Sequence, residues 1–361
     1  MFYHFILPLK EYLSFLRLFQ YITFRSAYAA VTALFLVLIL GNMVIRWLRA
    51  LKFGEEIRVL GPESHKQKAG TPTMGGVIII GAVLMSIILW GNFNSRYLIV
   101  LIGATLALTG LGFADDYIKS VLKRKEGIPA KVKLAFQVLI ALAVALLVYY
   151  LPSNQNEVSM LFVPFINEAV LDMGFIWVFF AVIVIVATTN AVNLTDGLDG
   201  LAIGSVITVG VSLGIVAYLT GHSKIATYLR IPYIPDAAEL TVFLAALMGA
   251  SMGFLWFNSN PATVFMGDTG SLAMGGIIGI VAVMIKKEIF LFIVGGVFVM
   301  EVLSVIIQVV SFRLRGRRVF KMSPLHHHFE LSGWSEQKVV VRMWILGIIL
   351  AILGLSSLKI L

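Results

Sequence analysis

Seven aspartates occur in this 361-residue chain, and five of them fall in three short motifs at the ends of long apolar runs. Phe-Ala-Asp-Asp-Tyr at 113–117 carries Asp115 and Asp116. The run at 190–200 carries Asn190, Asn193, Asp196 and Asp199, with Gly197 and Gly200 among them. Phe-Met-Gly-Asp-Thr-Gly-Ser at 265–271 carries Phe265, Asp268 and Ser271. In a chain that is 59% hydrophobic, five carboxylates near a bilayer would be costly without a use for them. Carboxylate oxygens are ligands for a hard divalent cation, and such a cation suits a phosphate-bearing substrate.

Spacing assigns the groups further. Asn190, Asn193, Asp196 and Asp199 recur every three residues, which on one helix would line them along a slowly rotating stripe of amide and carboxylate oxygens. The alternative is N-capping of the next helix, which needs one such residue rather than four. Asp115 and Asp116 are adjacent, so on a helix they point about 100° apart and should have different roles, one toward the metal or nucleophile and one holding a neighbour. Asp268, between Gly267 and Gly270, reads as a metal site at a helix N-terminus or as that helix's cap. His326, His327 and His328 are consecutive; their side chains diverge in helix or strand, so they do not converge on one metal, and contacts to phosphate or base fit them better. In the stretch 62–76, Gly75 and Gly76 at a helix start would leave N–H groups free for an anion, with Lys68 adding charge; the P-loop Gly-Lys-Ser/Thr is missing. Glu301, Ser304 and Gln308 share one helical face turned toward the bundle.

These residues must be positioned by membrane helices. Charged residues are 13% of the chain, about half the level usual in soluble proteins. Ten apolar runs have spanning character: 21–46, 74–91, 97–114, 134–151, 173–189, 200–219, 239–257, 271–285, 289–312 and 339–358. No soluble-sized polar stretch interrupts them, so residues 1–361 read as a single integral-membrane domain. The start lacks the pattern of a cleaved signal peptide. Three odd-numbered loops hold eighteen Lys and Arg, and the even-numbered loops hold five. The positive-inside rule then makes the odd loops cytoplasmic and sends both termini outward. Helix placement used no aspartate, yet all three aspartate motifs fall on odd loops, so one polar site is expected at the inner membrane surface. Cysteine is absent, which excludes disulfides, thiol nucleophiles and cysteine-ligated zinc. The net charge of +9 suits anionic lipid or an anionic substrate. No internal repeat is visible, which argues against an inverted-repeat transporter.

Taken in order across ten spans, the motifs at 113–117, 190–202, 265–271 and 324–330 resemble those of the polyprenyl-phosphate N-acetylhexosamine-1-phosphate transferases. Residues 71–76 with Thr73, residues 62–65 and the unbroken histidine run are similar to the branch whose donor carries a MurNAc-pentapeptide. The resemblance covers about residues 20–361. It implies an all-α polytopic fold of ten transmembrane helices with periplasmic termini, usually dimeric, in the bacterial inner membrane with its active site on the cytoplasmic face. It implies a Mg²⁺-dependent transfer of phospho-MurNAc-pentapeptide from UDP-MurNAc-pentapeptide to undecaprenyl phosphate, giving lipid I and UMP for peptidoglycan synthesis, without nucleic acid as a partner.

The resemblance also implies residue roles: Asp268 as Mg²⁺ ligand, and Lys68 with one or more of His326, His327 and His328 on phosphate oxygens. Asn193, Asp196 and Asn258 would meet the donor, Asp199 and Lys133 would lie near the uridine, and Asp115 would deprotonate the lipid phosphate. Its effect should be limited, because a phosphomonoester is largely dianionic near neutral pH. Because two anions must meet, charge neutralisation and in-line positioning should dominate catalysis. Direct attack is favoured over an aspartyl-phosphate on Asp268 or Asp115. The rivals are the same chemistry with UDP-GlcNAc and, from another class, an ion-coupled transporter.

Overall fold

The structure is a computed structural model that describes residues 3, 14–50, 70–124, 126–166 and 169–358. Lys68 and residues 62–65 lie outside the described residues. After a 3-10 helix at Ser14–Gln20 come α1 (Ile22–Ala50), α2 (Gly76–Trp90), α3 (Arg96–Ser120) and α4 (Ala130–Tyr150). A two-stranded hairpin follows, β1 (Met160–Phe162) antiparallel to β2 (Ala169–Asp172). The chain continues with α5 (Ile176–Thr195), α6 (Leu201–Gly221), the short α7 (Ser223–Leu229), α8 (Ala237–Asn258) and α9 (Gly267–Met284). The last elements are α10 (Glu288–Val294), α11 (Gly296–Arg315), the short α12 (Leu325–Glu330) and α13 (Glu336–Ser356).

Among the described residues, nine helices are long and apolar enough to cross a membrane, and α2, with 15 residues, is shorter. Each of the ten apolar runs falls on a helix. The ninth run is divided at Gly295, where α10 ends and α11 begins.

Burial decides which helix is central. In α9, 89% of the apolar window is buried, against 22% in α11. Small residues such as Ala273, Gly275 and Gly279 let α9 pack closely against α3 and α5, as membrane helices do where backbones approach. On the far side α1 packs along α8, and α8 along α6. Arg25 of α1 and Glu239 of α8 form a buried two-bond pair across that contact, at 2.7 and 2.5 Å.

Three expectations are corrected. First, α3 does not stop before the acidic pair but runs on to Ser120; the charges at 115 and 116 are neutralised by partners on other turns and helices, so they do not break it. Second, the four-residue stripe is not one helical face. α5 ends at Thr195, Asp196 is its C-cap, and Asp199 lies in the turn before α6; only Asn190 and Asn193 share the helix. Third, the N–H groups of Gly75 and Gly76 are not free for an anion. They donate to Phe265 O (2.8 Å) and Met266 O (2.9 Å), while Phe265 N donates to Pro72 O (2.8 Å). This ladder ties the entry of α2 to the residues just before Asp268.

Candidate active site

Three carboxylates, from Asp115, Asp116 and Asp268, each bring one oxygen to within 4.8 Å of the others at one end of the bundle. Two come from the last turns of α3 and one from the first turn of α9. The approach depends on Gly112. A Cβ there would lie 2.2 Å from the Asp268 carbonyl oxygen, so α3 and α9 meet at backbone distance.

Asp115 and Asp116 divide the work, as their 100° separation implies. Asp116 is buried and accepts three hydrogen bonds from α9: Asp268 N (3.1 Å), Thr269 N (2.8 Å) and Thr269 Oγ1 (2.6 Å). No side chain of α9's own N-cap, Met266, performs this task. Asp116 is therefore a cap supplied from another helix, satisfying N–H groups that a helix start leaves open. Thr73 Oγ1 faces the same spot: a Cβ on Gly267 would lie 2.6 Å from Asp116 Oδ2 and 2.8 Å from Thr73 Oγ1.

Asp115 faces the lysines. Its Oδ2 lies 2.5 Å from Lys119 Nζ and 3.1 Å from Lys133 Nζ, and its Oδ1 accepts from Ile128 N at 2.8 Å. The same two ammonium groups reach Asp268 Oδ2, Lys119 at 3.0 Å and Lys133 at 2.6 Å. Asp268 Oδ1 accepts from Asn193 Nδ2 (2.7 Å), which also donates to Ser271 Oγ (2.8 Å). Two carboxylates that would repel one another are thus held together by two shared cations, with Asn193 fixing the Asp268 rotamer.

Lys119 was not singled out in the sequence. It lies one helical turn beyond Asp115, a spacing that pairs side chains on one helix face, and the pair is legible once α3 is known to extend past the aspartates.

The remaining residues have other partners. Asn190 Nδ2 donates to Gln137 Oε1 of α4 (2.7 Å) and to Val186 O (2.8 Å). Asp199 Oδ2 accepts from Asn260 Nδ2 (3.1 Å) and Ala262 N (3.0 Å), and Asp199 N donates to Glu336 Oε1 (2.8 Å). Asn258 Oδ1 accepts from Gly200 N (3.1 Å), and its Nδ2 donates to Val264 O (2.9 Å). These contacts link the α5–α6 turn to the loop that delivers Asp268.

The histidines diverge. His326 is fully buried, with Nδ1 3.1 Å from Glu301 Oε2. Its ring fills the space left by Gly197, where a Cβ would lie 2.4 Å from Nε2. His327 Nδ1 lies 2.9 Å from Glu330 Oε2, and His328 Nδ1 accepts from Lys321 N at 3.2 Å. Among the described residues, the aspartate trio is the one acidic or histidine group with metal-ligand spacing. Its oxygens are the ligand type that a hard divalent ion such as Mg²⁺ takes.

A family model described as glycosyl transferase family 4 matches residues 97–286. The phospho-N-acetylmuramoyl-pentapeptide-transferase signature 1 matches residues 68–80. A phospho-N-acetylmuramoyl-pentapeptide-transferase of Leptospira biflexa is 50% identical over 355 residues, 96% of both chains. Proteins of the same name from Syntrophus aciditrophicus and Desulfosudis oleivorans are 49% identical over 99% of both chains and 47% identical over the whole of both. With half of its positions identical across nearly its full length, the chain belongs to the phospho-N-acetylmuramoyl-pentapeptide-transferase family.

Proposed function

We propose that this protein transfers phospho-MurNAc-pentapeptide from UDP-MurNAc-pentapeptide to undecaprenyl phosphate, releasing UMP and making lipid I for peptidoglycan synthesis. The observation that carries the reading is the meeting of Asp115, Asp116 and Asp268 with Lys119 and Lys133 at one end of an apolar bundle.

Both substrates are anions, so the site's first task is to make their approach tolerable. Lys119 and Lys133 are partly exposed, at 38% and 17%, and can turn from the carboxylates toward incoming phosphate oxygens. Asp268, with Asp115 beside it, would hold Mg²⁺, which would supply positive charge against the donor diphosphate and the departing UMP. The position between these carboxylates already attracts cations, since Lys133 Nζ bridges them at 3.1 and 2.6 Å. Asp115 is also the group placed to accept a proton from the lipid phosphate. Asp116 works by holding Asp268 in place. Asn193 and Ser271 fix the Asp268 carboxylate, and Asp196 lines the donor side of the turn that follows α5. Asp199 and Asn258 act through the loop they brace, and His326 through its place against Gly197. Lys68, His327, His328 and Phe265 complete the donor and phosphate contacts. Direct attack by the lipid phosphate suits a site whose carboxylates are already engaged by cations and amides.

In this reading α2 is the tenth spanning helix, both termini face the periplasm, and the aspartates face the cytoplasm across the inner membrane. The decisive assay supplies undecaprenyl phosphate and Mg²⁺ to purified protein, with UDP-MurNAc-pentapeptide and UDP-GlcNAc in parallel. UMP release with the first donor alone is expected. Release with UDP-GlcNAc only, or undiminished release after chelation of divalent ions, would reject the reading.

A further inference from the structure

Met284, at the far end of α9, lies about 24 Å from Asp268 at 1.5 Å per residue, and two lysines follow it. Their surroundings differ. Lys286 Nζ donates to Val158 O and sits 3.3 Å above the Trp177 ring. Lys287 has no such anchor. Its side chain lines a shallow cleft of about 20 Å³, open to solvent, between the β1–β2 hairpin, the segment after α7 and the end of α13.

Lys287 is only 9% exposed. Its ammonium makes no hydrogen bond or ion pair with any described residue, and it lies 5.8 Å from the centre of the Phe162 ring. Here the residue is nine-tenths buried, with its stem packed away and its ammonium left to the cleft. An ammonium largely withdrawn from water without an acceptor is stabilised by an anion that reaches it. Burial pushes Lys287 down to about 8, although Glu288 and Glu157 act to raise it. Arg230, the exposed residue that ends α7, lines the same cleft and brings a second cation.

The walls are otherwise apolar, formed by Phe162, Val163, Ile166, Pro232, Phe290 and Leu358. The hydroxyl of Ser357, also in the cleft, is turned to Gly354 O at 2.6 Å. Two cations above an apolar wall fit an anion attached to an apolar body, and fit a freely soluble anion poorly. We propose that this cleft binds the phosphate of an anionic phospholipid at the membrane surface opposite the aspartates, with Lys287 and Arg230 holding the phosphate oxygens and the apolar wall receiving the start of the acyl chains.

The test uses the full-length protein in neutral detergent and native mass spectrometry. Phosphatidylglycerol, phosphatidylcholine of equal chain length and inorganic phosphate serve as probes. A cation near an anionic lipid is worth about 1 kcal/mol, which is about fivefold in affinity. Wild type should retain phosphatidylglycerol over phosphatidylcholine, and Lys287→Met and Arg230→Gln should each cut that preference about fivefold. Lys287→Arg should keep it. UMP release by the variants, unchanged because the cleft is remote from the aspartates, verifies folding; should Lys287→Met not fold, Arg230→Gln, on the surface, carries the test. A preference equal to wild type in the folded variants would overturn the proposal. So would competition by inorganic phosphate at the lipid's own concentration, which would make the site one for free phosphate.

Discussion

Asp116→Asn is the most informative single change, because it separates a carboxylate that positions from one that reacts. Asp116 is buried and accepts three hydrogen bonds, all from the first turn of α9, at 3.1, 2.8 and 2.6 Å. The asparagine keeps one oxygen, enough for the Thr269 amide and hydroxyl. Its new NH₂ group then faces the Asp268 N–H, donor against donor, and the remaining bonds lose their charge assistance. A charge-assisted bond contributes roughly 1.5–3 kcal/mol, so the variant should be less stable by about 2–3 kcal/mol. Thr269→Val removes only the hydroxyl and should cost about 1 kcal/mol. In the double variant the two costs should not add, with a coupling of about 1 kcal/mol. Unfolding titrations with dodecyl sulfate in mixed micelles read these differences, and UMP release is followed on the same samples. Turnover should fall because the Asp268 backbone has moved. A variant of wild-type stability with abolished turnover would refute the reasoning and make Asp116 a group that meets the substrate.

Other changes separate neighbouring roles. Asp268→Asn should lower UMP release by about 10²-fold or more and raise the Mg²⁺ concentration needed; turnover near wild type at ordinary Mg²⁺ would remove Asp268 from the metal site. Gly112→Ala forces a methyl against the Asp268 carbonyl at 2.2 Å and should cost about 1–3 kcal/mol, together with activity. Gly103→Ala on the same helix meets nothing within 4 Å and should be silent in both assays. Lys287 has a pKa of about 8 in place of its ordinary 10.5, so between these values the unfolded chain binds a proton that the folded chain does not. Stability in lipid-free detergent should therefore rise as pH increases from about 8 to about 10.5. Lys286, pushed down likewise to about 8 by burial, contributes in the same window, so Lys287→Met should reduce that rise by about half rather than remove it and add up to about 3 kcal/mol at pH 7; thermal unfolding of both proteins across this range checks the sign.

What was legible in the sequence follows from whether the signal was local. Hydropathy is a property of a window, and nine of the ten apolar runs each fall on one helix, the ninth being divided between α10 and α11. Motif order carried the family, since the aspartate and histidine segments are contiguous. The different directions of Asp115 and Asp116, about 100° apart, followed from helix geometry alone. Errors arose where a local rule met a distant partner. The apolar run ends at 114, yet α3 continues to Ser120 because Lys119, Lys133 and the start of α9 engage Asp115 and Asp116. The three-residue period predicts a helix through Asp199, although Asp196 ends α5. Gly75 and Gly76 read locally as open donors because their acceptors, Phe265 O and Met266 O, lie almost 200 positions away.

The sequence by itself determined an apolar helical bundle, the family, and the three aspartates that meet at one end of it. Those are written in composition, periodicity and short motifs, each encoded within a few turns of chain. Only the tertiary structure decided which carboxylate does what. Asp116 became a cap for α9, Asp115 a partner of two lysines, and Asp268 the acceptor where both lysines and Asn193 converge. The physical reason is that a carboxylate's role is set by the donors within about 3 Å of it, and here those donors come from helices far apart in sequence.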